Sequence, residues 1–423
     1  MNILHINTLQ HGGAALCAIR INNALKAQGI DSRMLFAEGT SLPDGVSGAI
    51  AQQDKSFWAS NIIGRIIRRL VANTPLCPSK KYKIDRQLDY VNNRQEQRLY
   101  MHSPFSYYKN IANHPLIEWA DIIHLHWVAD FVDYPSFFKQ IKKPIVWTLH
   151  DQHPAIGVLH FEMPNISQIP EQLQKTNQYC KKIKKDSLRN LQNLTLVAIS
   201  KQMKEVCKQS DILKQFPTTI INNGINEQLF YPVDPSVARL SLGIPADHIV
   251  FAFCANNLSD KRKGITNLIR AIEELHLRNI TMVCIGGGSH PFQSSLNIIK
   301  TGYIYNERIL SALYSSADYY IMPSFSEGFA QAPMEAMACG TPVIAYPCSG
   351  TDELITDECG IICDDFTVPS LVKAIQTAMG RSYNRETIRA HLIKRFSYSK
   401  IITKYTDLYR TILQQNATVN NHN

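Results

Sequence analysis

Residues 317–346 read ADYYIMPSFSEGFAQAPMEAMACGTPVIAY. A short apolar run (YYIM, 319–322) leads through a loop of small and polar residues into a helical pattern over 331–339. A second apolar run (PVIAY, 342–346) follows. Two short apolar runs joined through a helix form a parallel strand–helix–strand unit. Outward from this unit the same alternation continues. The strand candidates are NILHI (2–6), SRMLF (32–36), DIIHLHW (121–127), PIVWTL (144–149), LTLVAIS (194–200), HIVFAFC (248–254) and ITMVCIG (280–286), with helical patterns such as 14–28 and 264–277 between them. The stretch TTIINNGINEQLFYPVDP (218–235) interrupts the series: Asn223-Gly224 signals a turn, and Pro232 and Pro235 break helix. The fold class is therefore α/β, with two Rossmann-like, doubly wound parallel-sheet domains expected to face each other across a cleft and offer their strand C-termini to a ligand. The expected domains are 1–220, 221–396 and a C-terminal segment 397–423. Periodicity alone does not decide whether the helical pattern at 397–414 in that segment packs back on the first domain.

The chain has 423 residues, 45% hydrophobic and 19% charged, which excludes wholesale disorder. No apolar run reaches the length of about 18 residues that a spanning helix requires. The start, MNILHINTLQHGG, reads as a strand rather than a signal peptide. Ten cysteines without dense pairing fit reduced thiols, so a cytoplasmic protein is expected. Residues 1–220 carry 27 Lys and Arg against 17 Asp and Glu, whereas 221–423 carry 17 against 18. The whole net charge of +9 thus lies in the first half, which calls for an anionic partner: nucleic acid, an anionic membrane face or a phosphorylated substrate. Within that half, FWASNIIGRIIRRLV (57–71) sets Trp58, Ile62, Ile63, Ile66, Ile67, Leu70 and Val71 at helical spacing beside Arg65, Arg68 and Arg69. An interfacial helix at the inner face of the cytoplasmic membrane and a basic-flanked helix packed on the first domain both fit this pattern.

In the quoted stretch, Glu327 sits in a loop ahead of a helix and Glu335 lies about one turn inside it. Gly328 permits close backbone approach, and the first N–H groups of the helix offer an anion site. Two carboxylates beside a phosphate-binding terminus suit a nucleotide sugar. Two solvated glutamates at a helix start are the plainer alternative. HGGAALCAI (11–19) repeats the arrangement after the first strand, with Gly12 and Gly13 opening a helix. It is not the GxGxxG of nicotinamide-binding proteins.

These segments resemble glycosyltransferase family 4, retaining enzymes of the GT-B fold. The resemblance rests on PSFSEGFAQAPMEAMACGTPVIA (323–345), LSDKRKGITNLIRAI (258–272), ADYYIMPS (317–324), NNGIN (222–226) and HGGAA (11–15), in the family's order. The start, ADIIHLHW (120–127) and PIVWTLHD (144–151) also resemble members that build bacterial O-antigen, capsule and other exopolysaccharides. The similarity covers nearly the whole chain and is strongest from about 250 to 355. It implies a sugar transfer from a nucleoside-diphosphate sugar to a glycan acceptor with retention of configuration; the basic first half and the 57–71 pattern fit an acceptor that is polyprenyl-diphosphate-linked. In the roles it implies, Glu335 binds the ribose hydroxyls, Glu327 lies beside the donor sugar, and the backbone of Gly328 and Phe329 faces that sugar's hydroxyls. Lys263 neutralises the diphosphate, with Arg262 or Lys261 expected to supply a second charge, and the Gly12-Gly13 loop closes on the same diphosphate. His150 is the active-site histidine, and Asp151 is placed to orient its ring. The family's arginine about six residues before the lysine is replaced here by Asn256 or Asn257.

Five histidines, His124, His126, His150, His153 and His160, raise the alternative of a zinc site, but their spacing matches no recognisable ligand pattern and HDQH is not HExxH. CGIIC (359–363) is equally weak as a metal pair. No Asp-x-Asp triplet occurs, so metal independence and no cofactor are expected. Nucleic-acid binding is disfavoured, because no helix-turn-helix, zinc-finger or aromatic-basic pattern accompanies the charge. A nucleotide-sugar epimerase, a phosphorylase and a catalytically inactive sugar-nucleotide-binding subunit remain the competing readings.

Overall fold

The strand NILHIN alternates Ile3 and His5 on one side with Leu4 and Ile6 on the other, and all four side chains are fully buried. A strand covered on both faces belongs at the centre of a parallel sheet. The computed structural model describes residues 1–52, 80–94, 99–108, 110–161, 169–288 and 294–420. The helical pattern at 57–71 lies outside them. The chain divides into two units, Met1–Ile221 with Ile402–Asn423, and Asn222–Ile401.

The first unit holds a seven-stranded sheet built from β1 (Asn2–Asn7), β2 (Asp31–Phe36), β3 (Gly48–Ile50), β4 (Ile122–Leu125), β5 (Ile145–Leu149), β6 (Leu194–Ala198) and β7 (Thr218–Ile220). The spatial order is β3-β2-β1-β4-β5-β6-β7 and every pairing is parallel. One face carries Leu4, Ile6, Leu125, Trp147, Leu149 and Leu196 in a single apolar cluster. Trp147 is fully buried and donates its indole N–H to the His126 carbonyl at 3.0 Å. A side chain of this kind contributes about 1.5–3 kcal/mol by burial, and the hydrogen bond removes the cost of hiding its polar atom. The other face is polar at its centre, with His5, His124, His126 and Thr148 all buried. The helix Tyr398–Asn420 supplies partners for two of them: Tyr409 Oη lies 2.7 Å from His124 Nδ1, and Tyr405 Oη lies 3.0 Å from Thr148 Oγ1.

The second unit holds a six-stranded parallel sheet of β8 (Ile249–Asn257), β9 (Ile280–Gly287), β10 (Asn297–Gly302), β11 (Tyr319–Met322), β12 (Val343–Ala345) and β13 (Gly360–Ile362), in the order β10-β9-β8-β11-β12-β13. Its apolar cluster runs from Phe251 and Phe253 through Leu268, Ile272, Ile321 and Ile344 to Leu371 and Ile375. In each sheet the strand order reverses once, between β1 and β4 and between β8 and β11. Ligands of doubly wound sheets bind beyond the strand C-termini at such a reversal.

The nine strands expected from apolar runs all form. Four further strands, β3, β7, β10 and β13, are the outer edges of the two sheets. β3 and β7 are half-buried throughout, and β10 alternates between half-buried and exposed residues. Among the described residues no helix is long and apolar enough to cross a membrane, and all nine cysteines are free thiols.

Candidate active site

In the second unit the reversal is built by two loops that lock onto each other. After β8 the chain makes a tight turn, Lys261–Lys263, capped by the Asp260 side chain on the Arg262 N–H. Gly264 then takes φ 71°, and a Cβ there would lie 1.9 Å from the Pro323 carbonyl oxygen beyond β11. Only glycine permits that approach. The Phe325 N–H donates to the Arg262 carbonyl at 2.9 Å and fixes the second loop against the first.

The docking brings Lys263 Nζ to 2.5 Å from Glu327 Oε1, with the Glu327 side chain one-tenth exposed and that of Lys263 one-fifth exposed. Arg262 donates to the Ser326 carbonyl at 2.6 Å, pairs with Asp260 at 3.1 Å and lies 3.5 Å from the other Glu327 oxygen. Burial alone would raise the Glu327 carboxyl, but Lys263 and Arg262 outweigh it and hold the group down at about 2. Lys263, expected as a free cation for a diphosphate, is therefore shared with a carboxylate. Arg262 is spent on clamping the loop. Lys261 is exposed.

Glu335 sits on the helix Gln331–Ala338, buried, and accepts from Tyr314 Oη at 3.0 Å. The helix has Ala330 as its N-cap, without a side-chain cap. Of the two residues just ahead of the helix, Gly328 offers its carbonyl to Ser349 Oγ at 3.0 Å and Phe329 offers its own to Asn223 Nδ2 at 2.9 Å. The Phe329 ring packs on Gly350 and Phe396. Asn257 ends β8 and accepts from the Ser259 N–H at 2.9 Å. Sequence reasoning missed Tyr314 and the run Gly286–Gly288. A Cβ on Gly286 would meet the Ala255 carbonyl at 1.8 Å, and one on Gly288 would meet Asn257 Oδ1 at 2.3 Å. Three glycines closing the strand run ITMVCIG were the available signal.

In the first unit, the Trp127 backbone N–H beyond β4 donates to Asn7 Oδ1 at 2.9 Å, and Thr8 Oγ1 donates to the Ala129 carbonyl at 2.7 Å. The ends of β1 and β4 are thereby tied. Gly12 adopts φ 88° as the N-cap of Gly13–Ala27, and a Cβ on either glycine would meet nothing within 4 Å.

The histidines split into two groups. His150, directly after β5, has Nε2 at 3.0 Å from His126 Nδ1, and His126 Nε2 is 2.9 Å from His5 Nδ1. Burial pushes His5 down to about 3 and His150 to about 4, and His126 well below its ordinary range, so all three rings are neutral near pH 7. The second group gathers around Asp151. His160 Nδ1 lies 2.5 Å from Asp151 Oδ2, the Trp127 indole N–H donates to the same oxygen at 2.9 Å, and the His153 N–H donates to Oδ1 at 3.0 Å. His102 Nδ1 lies 2.6 Å from His160 Nε2 and His102 Nε2 lies 3.2 Å from Asp130, which also pairs with Lys81. This corrects the expectation that Asp151 orients His150: the carboxylate orients His160, and the His150 ring is held by His126. Consecutive residues at a strand end project to opposite sides, which separates the two. Lys184, wholly buried, donates to the His153, Ile156 and Gly157 carbonyls and fastens the same loop.

The five-histidine zinc grouping does not assemble in this arrangement. His5, His124 and His126 do bring ring nitrogens within 4.8 Å of one another. Both His124 nitrogens, however, are engaged by Tyr409 and Thr148 at 2.7 Å, and both His126 nitrogens by His5 and His150. A cation there would have to displace those bonds.

Residues 248–381 match the glycosyl transferases group 1 family. The O-antigen biosynthesis glycosyltransferase WclY of Escherichia coli is 28% identical over 206 residues, 46% of this chain and 56% of that protein. The chain spans about half the length of the curated relatives it matches. Among solved structures, sucrose-phosphate synthase from Thermosynechococcus elongatus superposes with a TM-score of 0.68 at 20% identity over 98% of this chain and all of that one. Anabaena Alr3699/HepE, solved in complex with UDP and glucose, gives 0.64 at 17% identity over 97% of this chain and 99% of that one. Residues 248–381 thus resemble the group 1 glycosyl transferases, and the two parallel doubly wound sheets give the chain the GT-B fold of these solved structures.

Proposed function

We propose that the protein transfers a sugar from a nucleoside-diphosphate sugar to a glycan acceptor in bacterial surface polysaccharide synthesis, with retention of configuration and without a metal ion. The observation that carries this reading is the Lys263–Glu327 pair at the β8/β11 reversal, with buried Glu335 on the adjoining helix. HepE, of like fold, binds UDP and glucose, and WclY acts in O-antigen biosynthesis; both support the choice of chemistry.

The barrier to transfer lies in charge that collects on the departing diphosphate. Preorganised positive groups at that point are the largest available source of rate. Lys263 is a compact ammonium held by Glu327 at the strand ends, a point charge placed near where the phosphate would arrive. Neutralising the diphosphate draws the ammonium partly away from Glu327, which leaves that carboxylate to stabilise the oxocarbenium-like sugar. Glu335, fixed by Tyr314, accepts from the ribose hydroxyls. The Gly328–Phe329 backbone and the uncapped helix start behind it face the sugar and phosphate, with the Gly12-Gly13 helix start as a second anion site. His150 contacts the transferred sugar. The acceptor is a polyprenyl-diphosphate-linked glycan taken up by the basic first unit, at the inner face of the cytoplasmic membrane.

The test is a thermal-shift screen with UDP, GDP, ADP, CDP and dTDP. A ligand that binds only the folded state at a hundred times its Kd stabilises by about 2.7 kcal/mol. Sugars of the best nucleotide are then assayed for transfer, with Glu327→Ala and His150→Ala as controls. Release of free nucleotide or sugar phosphate without a lengthened glycan would instead favour an epimerase or phosphorylase. No shift with any nucleotide would refute the reading.

A further inference from the structure

We infer that His5 and His126 are positioning residues that hold His150 as an Nδ1–H hydrogen-bond donor, so that it offers a proton-bearing nitrogen to the sugar and does not serve as a base. This rests on the proposed sugar transfer for its use, but not for its geometry.

The three rings come from adjacent parts of one sheet: His5 from β1, His126 from just beyond β4 and His150 from just beyond β5. They form an unbranched row, His5 Nδ1 to His126 Nε2 at 2.9 Å and His126 Nδ1 to His150 Nε2 at 3.0 Å. A neutral imidazole carries one N–H and one bare nitrogen, so each contact needs a donor on one side and an acceptor on the other. Two arrangements satisfy the row, with every proton on Nδ1 or every proton on Nε2.

The inner end of the row selects between them. His5 Nε2 is buried and has no hydrogen-bond partner among the described residues. A proton there would be a buried N–H without an acceptor, a rare and costly arrangement, whereas a bare nitrogen there is tolerated more easily. His5 therefore carries its proton on Nδ1 and donates to His126 Nε2. His126 then carries its own on Nδ1 and donates to His150 Nε2. With Nε2 committed as an acceptor, the His150 proton lies on Nδ1, which makes no hydrogen bond among the described residues of this half-buried ring. The row sends the consequence of one buried orphan atom across three strands to the site. His124 stands outside the relay, because its two nitrogens face the Tyr409 and Thr148 hydroxyls.

The experiment uses the full chain labelled with 15N-histidine, free of any ligand, and long-range 1H–15N correlation to read which nitrogen of each ring is protonated. In the wild type, His150 is expected to show a pyrrole-like Nδ1 and a pyridine-like Nε2. In His126→Phe the donor to Nε2 is gone, and the His150 pattern is expected to move toward the Nε2–H form. His126→Gln keeps an amide donor and is expected to restore the wild-type pattern. Thr148→Val disturbs the same face through His124 and Tyr405 and is expected to leave His150 unchanged, which separates a relay from general loosening. A wild-type His150 with Nε2–H, or a Thr148→Val variant that shifts it as far as His126→Phe does, would overturn the inference. No sugar enters the measurement, so the expected tautomers in a protein that transfers no sugar would uphold the relay and refute only the proposed function.

Discussion

Replacing Glu327 by glutamine leaves the side-chain shape but removes the charge between Lys263 and Arg262. The carboxyl is held at about 2 against an ordinary 4.5. At about 1.4 kcal/mol for each tenfold change in proton affinity, the charged form stabilises the folded unit by about 3 kcal/mol at neutral pH. Because the folded carboxyl has the lower pKa, the unfolded chain takes up the proton first as the pH falls. The contribution is therefore complete above about pH 4.5 and is lost as the pH falls through 4.5 towards 2. Removing one partner of a largely buried pair also leaves the other charge uncompensated. Lys263, one-fifth exposed, recovers part of that through water. For a unit of this size, about 3 kcal/mol corresponds to roughly 6–12 °C in the melting transition of Asn222–Ile401. The assay is urea and thermal unfolding of the wild type, Glu327→Gln, Lys263→Met and the double variant from pH 3 to 8. The double variant should be more stable than the sum of the single losses predicts. A Glu327→Gln protein within about 0.5 kcal/mol of wild type at pH 7, or a deficit that does not shrink below pH 4.5, would refute the electrostatic account of this site.

Four further outcomes follow from named residues. Gly12→Ala strains a positive φ of 88° with ψ 168°, a region open essentially only to glycine, but meets no neighbour, so chemical denaturation should show a loss of about 1–3 kcal/mol. Gly264→Ala adds a collision with the Pro323 carbonyl and should cost more than Gly12→Ala while also weakening nucleoside-diphosphate binding in a titration. Tyr409→Phe strips the hydroxyl from buried His124 Nδ1 and should lower stability by about 1–3 kcal/mol, read as a reduced urea midpoint with an unchanged m-value. Burial pushes Lys184 down to about 7, so the unfolded chain binds the extra proton between pH 7 and 10.5. The wild type should therefore gain stability relative to Lys184→Met as the pH rises through that window, by about 5 kcal/mol in all.

What was legible in the sequence follows burial. Strands at the centre of each sheet are covered on both faces and leave continuous apolar runs, so all of them could be read. Edge strands are half-solvated and short: Gly48–Ile50 and Thr218–Ile220 are three residues each and carry no such run. The Lys263 and Glu327 loops were legible because each follows a readable strand and carries glycine beside its charge. Their mutual pairing was not, since it depends on Gly264 seating against Pro323, 59 residues away in the chain. His5 gave no signal as a lone polar residue in an apolar strand. Its importance arises only when β1 and β4 pair in register, with His5 opposite His124. Asp151 was misassigned because nearness in sequence was taken for nearness of side chains.

The most direct test of the account is a calorimetric titration of the preferred nucleoside diphosphate and its monophosphate into the wild type, Lys263→Met and Glu335→Gln. Lys263→Met should erase most of the advantage of the diphosphate over the monophosphate, and Glu335→Gln should weaken both to a similar degree. Equal affinities for all three proteins would contradict it.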